Sequence, residues 1–352
     1  MPTPQELLEA LKQIKYPGFS RDIVDFGIVK DIEVGGTGVT IYLAPSTENH
    51  EMLALLRQSV INTITPLVNV PVHVVLQRPE PGAVPAPPKP EMPGISHVVA
   101  IASGKGGVGK STVAVNLALA LSALGQRIGL IDADVYGPSV PLMLGISERP
   151  QSTEDKRLLP LVKHGLKVMS MGLLVPAGQA VVWRGPMLDK LLTEFIRNVE
   201  WGDLDTLLID LPPGTGDAQL TIVQKTPISG GVIVTTPQDV ALLDVRRGIK
   251  MFQDVQVPVL GVIENMSYHI CGNCGHRAEI FNHGGGQRMA AQFKVPFLGE
   301  IPLERAIRED GDRGTPLVVV NPNHPQSQIF LAIAKELIMR LEQNARRQLS
   351  VQ

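Results

Sequence analysis

Residues 104–112 read GKGGVGKST, in which Gly104, Gly109, Lys110 and Ser111 meet the spacing G-x-x-x-x-G-K-[ST]. Glycines at these places let backbone N–H groups turn inward on a polyphosphate, Lys110 reaches the outer phosphates and Ser111 can ligate Mg²⁺. With Lys105, Gly106, Gly107, Val108 and Thr112 the whole run becomes a candidate nucleotide site. Two carboxylates follow, Asp132 and Asp134, one residue apart in RIGLIDADVYG, so that both point to one face if the chain stays extended. A third, Asp210, closes the apolar run Thr206-Leu207-Leu208-Ile209. Acids beside a phosphate site normally serve metal and water, whereas a lone Asp after a strand is more often a cap or a turn former.

The chain has two cysteines, Cys271 and Cys274, set as C-x-x-C in HICGNCGH. That is too few for a disulfide framework, and the spacing fits a redox pair, half a zinc site or half an iron–sulfur site. Zinc could be completed within one chain by His269, His276 and His283. A cluster needs about four cysteine ligands, which two chains related by a two-fold axis would supply together.

Such groups work only if the fold holds them. Val98 to Ala102 is a short buried-strand pattern directly before the glycine loop, and Val113, Leu117, Leu121 and Leu124 recur after it at helical spacing, ending at Gly125. The phosphate therefore meets a helix N-terminus, with its unpaired donors and partial positive charge. Further strand-like runs at Ile128 to Ile131, Val168 to Met171, Leu207 to Ile209, Val232 to Thr235, Val259 to Ile263 and Phe297 to Ile301 alternate with helical patterns. This alternation predicts an α/β domain with a largely parallel sheet over 98–352, its ligands at the carboxyl ends of the strands. Asp132, Asp210 and Asn265 each follow such a run. Residues 1–77 predict a small α+β domain: one helical face from Leu7, Leu8, Leu11 and Ile14, another from Met52, Leu55, Leu56 and Val60, and strands about Gly35-Gly36 and over Val70 to Leu76. Repeated prolines make 78–97 a linker of extended geometry. Gln326 to Gln348 predicts a helix with Ile329, Ile333, Leu337 and Leu341 on one face, suited to docking on the sheet.

Lys105, directly after the first glycine, makes the loop similar to the deviant Walker A of the MinD, nitrogenase iron protein and Mrp group. The resemblance implies a lysine that reaches the nucleotide of a partner subunit, hence a homodimer, and Asp210 ends a run of Walker B form. DADVYGPSVP (132–141), WRGPM (183–187), DLPPGTGD (210–217), TTPQDVAL (235–242), ENMS (264–267) and CGNCG (271–275) resemble the Mrp/ApbC iron–sulfur cluster carriers. VDFGIVKDIEV, in the N-terminal unit, is similar to the small domain fused to or working beside iron–sulfur assembly proteins. Carried onto matching positions, the resemblance implies that Asp134 orients the attacking water, Asp132 and Asp210 organise Mg²⁺, Asn265 contacts adenine, and Cys271 and Cys274 hold a labile 4Fe-4S cluster between two chains. The N-terminal family often carries a cysteine after its second strand; Ala44 to Glu48 has none, so that domain is not expected to ligate a cluster.

At 352 residues, 44% hydrophobic, the chain can bury a sizeable core, and a net charge of −2 recruits no nucleic acid. The expectation is no membrane span either, because no apolar run is long enough, and a cytosolic location, because MPTPQELLEA lacks a signal-peptide pattern. The expected function is an ATP-hydrolysing iron–sulfur carrier that receives from scaffold proteins and delivers to apoproteins. The alternatives are a MinD-like membrane-positioning ATPase, and a zinc-stabilised nucleotide-binding scaffold.

Overall fold

The computed structural model describes residues 2–16, 22–35, 38–45, 50–76, 92–134, 137–174 and 198–349. WRGPM at 183–187, most of the proline-rich 78–97, and Ser46, Thr47 and Glu48 lie outside the described residues. The chain divides into two compact units, residues 1–88 and 89–352.

In the first unit, helix α1 (Pro4–Leu11) starts at a capping box in which Glu6 N donates to Thr3 Oγ1 at 3.3 Å and Thr3 N to Glu6 Oε2 at 2.7 Å. Strands β1 (Val29–Gly35) and β2 (Gly38–Leu43) form an antiparallel hairpin, and β3 (Val72–Leu76) joins β2 in parallel. Alternation along β2 turns Val39, Ile41 and Leu43 inward against Leu7 and Leu11 of α1 and Leu56, Val60 and Ile64 of helix α2 (His50–Ile64). Leu55, read as part of that apolar face, is 64% exposed. One residue is about 100° of helix rotation, enough to carry Leu55 off the stripe that Leu56 occupies.

The second unit is built on an eight-stranded sheet. Its strands are β4 (Ile95–Ala102), β5 (Ile128–Asp132), β6 (Leu161–Lys163), β7 (Leu166–Ser170), β8 (Leu204–Asp210), β9 (Gly230–Thr235), β10 (Val259–Asn265) and, after a small hairpin described below, β13 (Phe297–Ile301). They lie in the order β13-β10-β9-β4-β8-β5-β7-β6. All neighbours are parallel except β6 and β7. That antiparallel edge was not legible in the sequence. Three residues carry no periodicity, and Val162 at the edge is 72% exposed. What makes the edge is the turn His164-Gly165, both residues at positive φ, which folds Lys163 back onto Leu166.

Central strands read as unbroken apolar runs because helices leave them no solvent face. Helix α3 (Lys110–Ala123) is buried almost all round, from Val113 to Leu121. Helix α4 (Val140–Leu144), α5 (Asp217–Lys225), α6 (Asp239–Asp254), α7 (Gly285–Gln292), α8 (Arg305–Asp312) and α9 (Leu317–Val320) follow, and α10 (Pro325–Leu349) closes the chain. α10 packs on α3 and β13, burying Phe330, Ile333, Ala334, Leu337 and Leu341. Full burial of each large apolar side chain contributes about 1.5–3 kcal/mol. The amphipathic face of α10 is thus spent inside the domain. Among the described residues no helix is long and apolar enough to cross a membrane.

Candidate functional site

Strand β4 ends at Ala102 in the middle of the sheet, between β8 and β9, and the glycine loop crosses from there to α3. This is where strand order reverses, the crevice in which open α/β sheets bind ligands. Gly109 takes φ +80°, and a Cβ there would lie 2.3 Å from Asn265 Nδ2. Asn265, at the end of β10, spends that amide on Val108 O at 2.8 Å, and so supports the loop from the neighbouring strand end. Gly104 is tight for another reason: a Cβ would stand 2.2 Å from Asp244 Cβ and 2.5 Å from its carbonyl oxygen, on α6. Gly104→Ala is therefore expected to push the loop and α6 apart and to lower nucleotide affinity about 5-fold or more, since overpacking costs about 1–3 kcal/mol. Calorimetric titration with nucleotide would show it, and unchanged affinity would contradict it.

The acids converge at the same place. Asp132 and Asp210 are cross-strand neighbours at the ends of β5 and β8, both fully buried. Lys110 Nζ sits 2.6 Å from Asp210 Oδ1 and is itself 6% exposed. The other oxygen, Asp210 Oδ2, is buried without a hydrogen-bond partner. Burial pushes the Asp210 carboxyl above its ordinary value, against the pull of Lys110. Asp132 accepts from Ser170 Oγ at 3.0 Å, Val140 N at 3.2 Å and Asp134 N at 3.2 Å. Burial, then the charge of Asp210, pushes it up to about 7. Asp134 is half-buried, close enough for its charge to act on Asp210, and accepts from Gly137 N at 3.2 Å. Ser170 was missed in the sequence; its signal was a hydroxyl inside the otherwise apolar run Val168 to Met171.

Lys105 is exposed, and its carbonyl accepts from Ser103 Oγ at 3.0 Å. Beside Gly109 and Thr112 opens a cavity of about 280 Å³, its lining including Asn265, Met266, Pro302 and Leu303. Loop, cavity, lysine and acids together can hold a nucleoside polyphosphate. A divalent cation fits at Ser111 and Asp210, where an acceptor oxygen is buried without a partner.

Cys271 and Cys274 stand in the turn of a separate hairpin, β11 (His269–Ile270) and β12 (Arg277–Ala278). Cys271 N donates to His276 O at 2.9 Å and Gly275 N to Cys271 O at 2.8 Å, closing a tight knuckle. Cys271 is half-buried and Cys274 exposed. Backbone N–H groups of Cys274 and Asn273, with the Cys274 thiol, hold the Cys271 thiol below its usual value, so the knuckle favours thiolate. The histidines do not complete it. Among the described residues the one trio of possible ligand atoms within 4.8 Å of each other is Glu264, His283 and Glu300. That trio is satisfied from within the protein. Glu264 accepts from Ser267 Oγ, Gly284 N and Gly286 N at the start of α7, while Arg277 Nη2 stands 2.8 Å from His283 Nε2 and 3.5 Å from Glu300 Oε1. Sequence reasoning quoted Glu264 only as part of ENMS; burial at the strand end makes it an anchor.

Comparison with known proteins bears on both halves of this site. Residues 94–338 match the family described as NUBPL iron-transfer P-loop NTPase, and residues 4–74 the family described as iron-sulfur cluster assembly protein. The iron-sulfur cluster carrier protein of Helicobacter pylori is 40% identical over 97% of this chain and 94% of its own. That of Salmonella typhimurium is 52% identical over 72% of this chain and 68% of its own. Among solved structures, a nucleotide-binding protein of Archaeoglobus fulgidus in complex with ADP shares 39% identity at a TM-score of 0.56, covering 62% of this chain and 87% of that one. The cell division ATPase MinD of Pyrococcus furiosus, 23% identical at a TM-score of 0.54 over 69% of this chain and 99% of that one, shares the fold. A glycine loop with its lysine and acids, a C-x-x-C pair on a hairpin, and relatives that match along nearly the whole chain lead to one assignment: this protein belongs to the iron–sulfur cluster carriers of the P-loop NTPase class.

Proposed function

We propose that the protein binds and hydrolyses MgATP at the loop 104–112 and carries a 4Fe-4S cluster between the Cys271 and Cys274 of two chains, for delivery to apoproteins. The observation that carries this is the hairpin: two sulfurs at its turn, one held toward thiolate, with no third ligand grouped with them among the described residues. A second copy supplies the missing pair. Zinc in one chain lacks its histidines in this arrangement. Iron and sulfide assays on anaerobically reconstituted protein, with its mass in solution, test the reading. About four iron atoms per dimer are expected, and one zinc per monomer would overturn it.

In the ATPase half, Gly104 to Thr112 hold the phosphates, Lys110 leaves Asp210 for them, and Ser111, Asp132 and Asp210 organise the magnesium. Bound Mg²⁺ neutralises charge on the phosphates. Asn265 and the cavity beside it receive the adenine. Asp134 orients the attacking water. Asp134→Asn keeps the shape and loses the charge, so nucleotide affinity should hold while turnover falls about 10²-fold or more; a loss confined to affinity would make Asp134 a binding group. Lys105, exposed on the loop, reaches the partner's nucleotide. Lys105→Ala should then suppress hydrolysis and nucleotide-dependent dimerisation together, checked by light scattering with ATP; survival of both would refute the role in trans.

A further inference from the structure

The nucleotide cavity and the cysteine hairpin share a wall. Leu303, on the cavity, has both peptide groups committed to the residues that open the hairpin: its N–H donates to Tyr268 O at 2.7 Å, and its carbonyl accepts from His269 Nδ1 at 3.0 Å. A carbonyl cannot donate, so Nδ1 carries the proton. Cys271 lies two residues beyond His269 on the same strand and turn. Two more residues lining the cavity lead to the same point. After Asn265 and Met266 the chain turns sharply at Met266, φ +55°, and Ser267 N bonds Ile301 O at 3.0 Å. The other side of the hairpin is tied by Arg277, whose guanidinium lies 3.8 Å from the centre of the Tyr268 ring. Of these ties, the His269 to Leu303 bond is the side-chain contact that ends on the cavity itself.

We infer that His269 is a positioning residue: through its bond to Leu303 it makes the placement of the Cys271 sulfur depend on whether the nucleotide cavity is filled. The inference rests on the nucleotide reading above. A ligand that contacts Pro302 and Leu303 biases their position, His269 follows its acceptor, and the turn that aims the sulfurs follows His269. Coupling of this kind is reciprocal, so a change at the thiols must in turn alter nucleotide affinity.

Because the chain has only Cys271 and Cys274, iodoacetamide on the cluster-free full-length protein reports on this turn alone. Saturating MgADP, or a non-hydrolysable MgATP analogue, should change the alkylation rate by about five-fold or more, the lower range of ordinary coupling. Alkylated protein should show an altered nucleotide affinity. His269→Ala should still bind nucleotide and lose most of the response, bringing the ratio of rates with and without nucleotide close to one. His269→Asn, which keeps an N–H donor near the same place, should restore part of it, which a loss of general stability would not allow. A wild-type rate that ignores bound nucleotide, or a full response in His269→Ala, overturns the inference and leaves the nucleotide reading standing. Failure of the wild type to bind either nucleotide overturns both.

Discussion

Cys271→Ala or Cys274→Ala should abolish stable cluster binding, with reconstituted iron falling from about four atoms per dimer to near background. In the proposed bridging arrangement each substitution removes two of four ligands, and among the described residues no histidine is grouped with the cysteines to replace them: His269 is committed to Leu303 and His283 lies between Glu300 and Arg277. Cys271→Ala removes the acceptor for the Asn273 and Cys274 N–H groups, whereas Cys274→Ala removes an exposed sulfur. Neither change touches the phosphate loop, so the cluster-free protein should still bind nucleotide. Retention of the iron–sulfur absorption band in either variant would reject the bridging arrangement.

Lys110→Ala should reduce ATP hydrolysis by about 10³-fold or more, since charge stabilisation of the transferring phosphoryl group is the main work of such a site. From the sequence, the change removes only a charge aimed at phosphate and leaves the fold untouched. The structure adds a second consequence. In the nucleotide-free protein Lys110 is the buried partner of a fully buried Asp210, 2.6 Å away. Removing one partner of a buried pair costs about 3–5 kcal/mol when the other must stay charged. Asp210 has a way out, because burial already raises its carboxyl above the ordinary value and loss of Lys110 raises it further. A raised folded-state value means that the folded protein binds the extra proton, so the variant's stability deficit should shrink as pH falls below that value and be fully present above it. Thermal melts in chelator at mildly acidic and mildly alkaline pH measure this. A deficit that grows on acidification would show that Lys110 and Asp210 are not paired, and hydrolysis at the wild-type rate would remove Lys110 from the site.

Much of this protein is written locally. The phosphate loop is legible because its residues act through spacing along nine consecutive positions between a strand and a helix, and the backbone alone carries that geometry. The parallel strands are legible because the central ones are buried on both faces and so read as apolar runs. The long C-terminal helix shows itself by its period. Contacts between distant segments leave no such trace. Nothing near residue 104 announces that Asp244 presses on Gly104, nothing near Asp132 announces Ser170, and the edge strand 161–163 exists because two residues with positive φ turn it back. The sequence by itself determined the chemistry on offer: a phosphate cradle, acids at strand ends and a C-x-x-C pair whose metal stayed open. Only the tertiary structure decided how these groups are held, by burying Lys110 on Asp210, by committing His269 and His283 to partners other than the cysteines, and by bonding the hairpin to the cavity wall. The physical reason is that a side chain's type sets what it can bind, whereas burial and hydrogen-bond partners brought from far along the chain set what remains free to bind it.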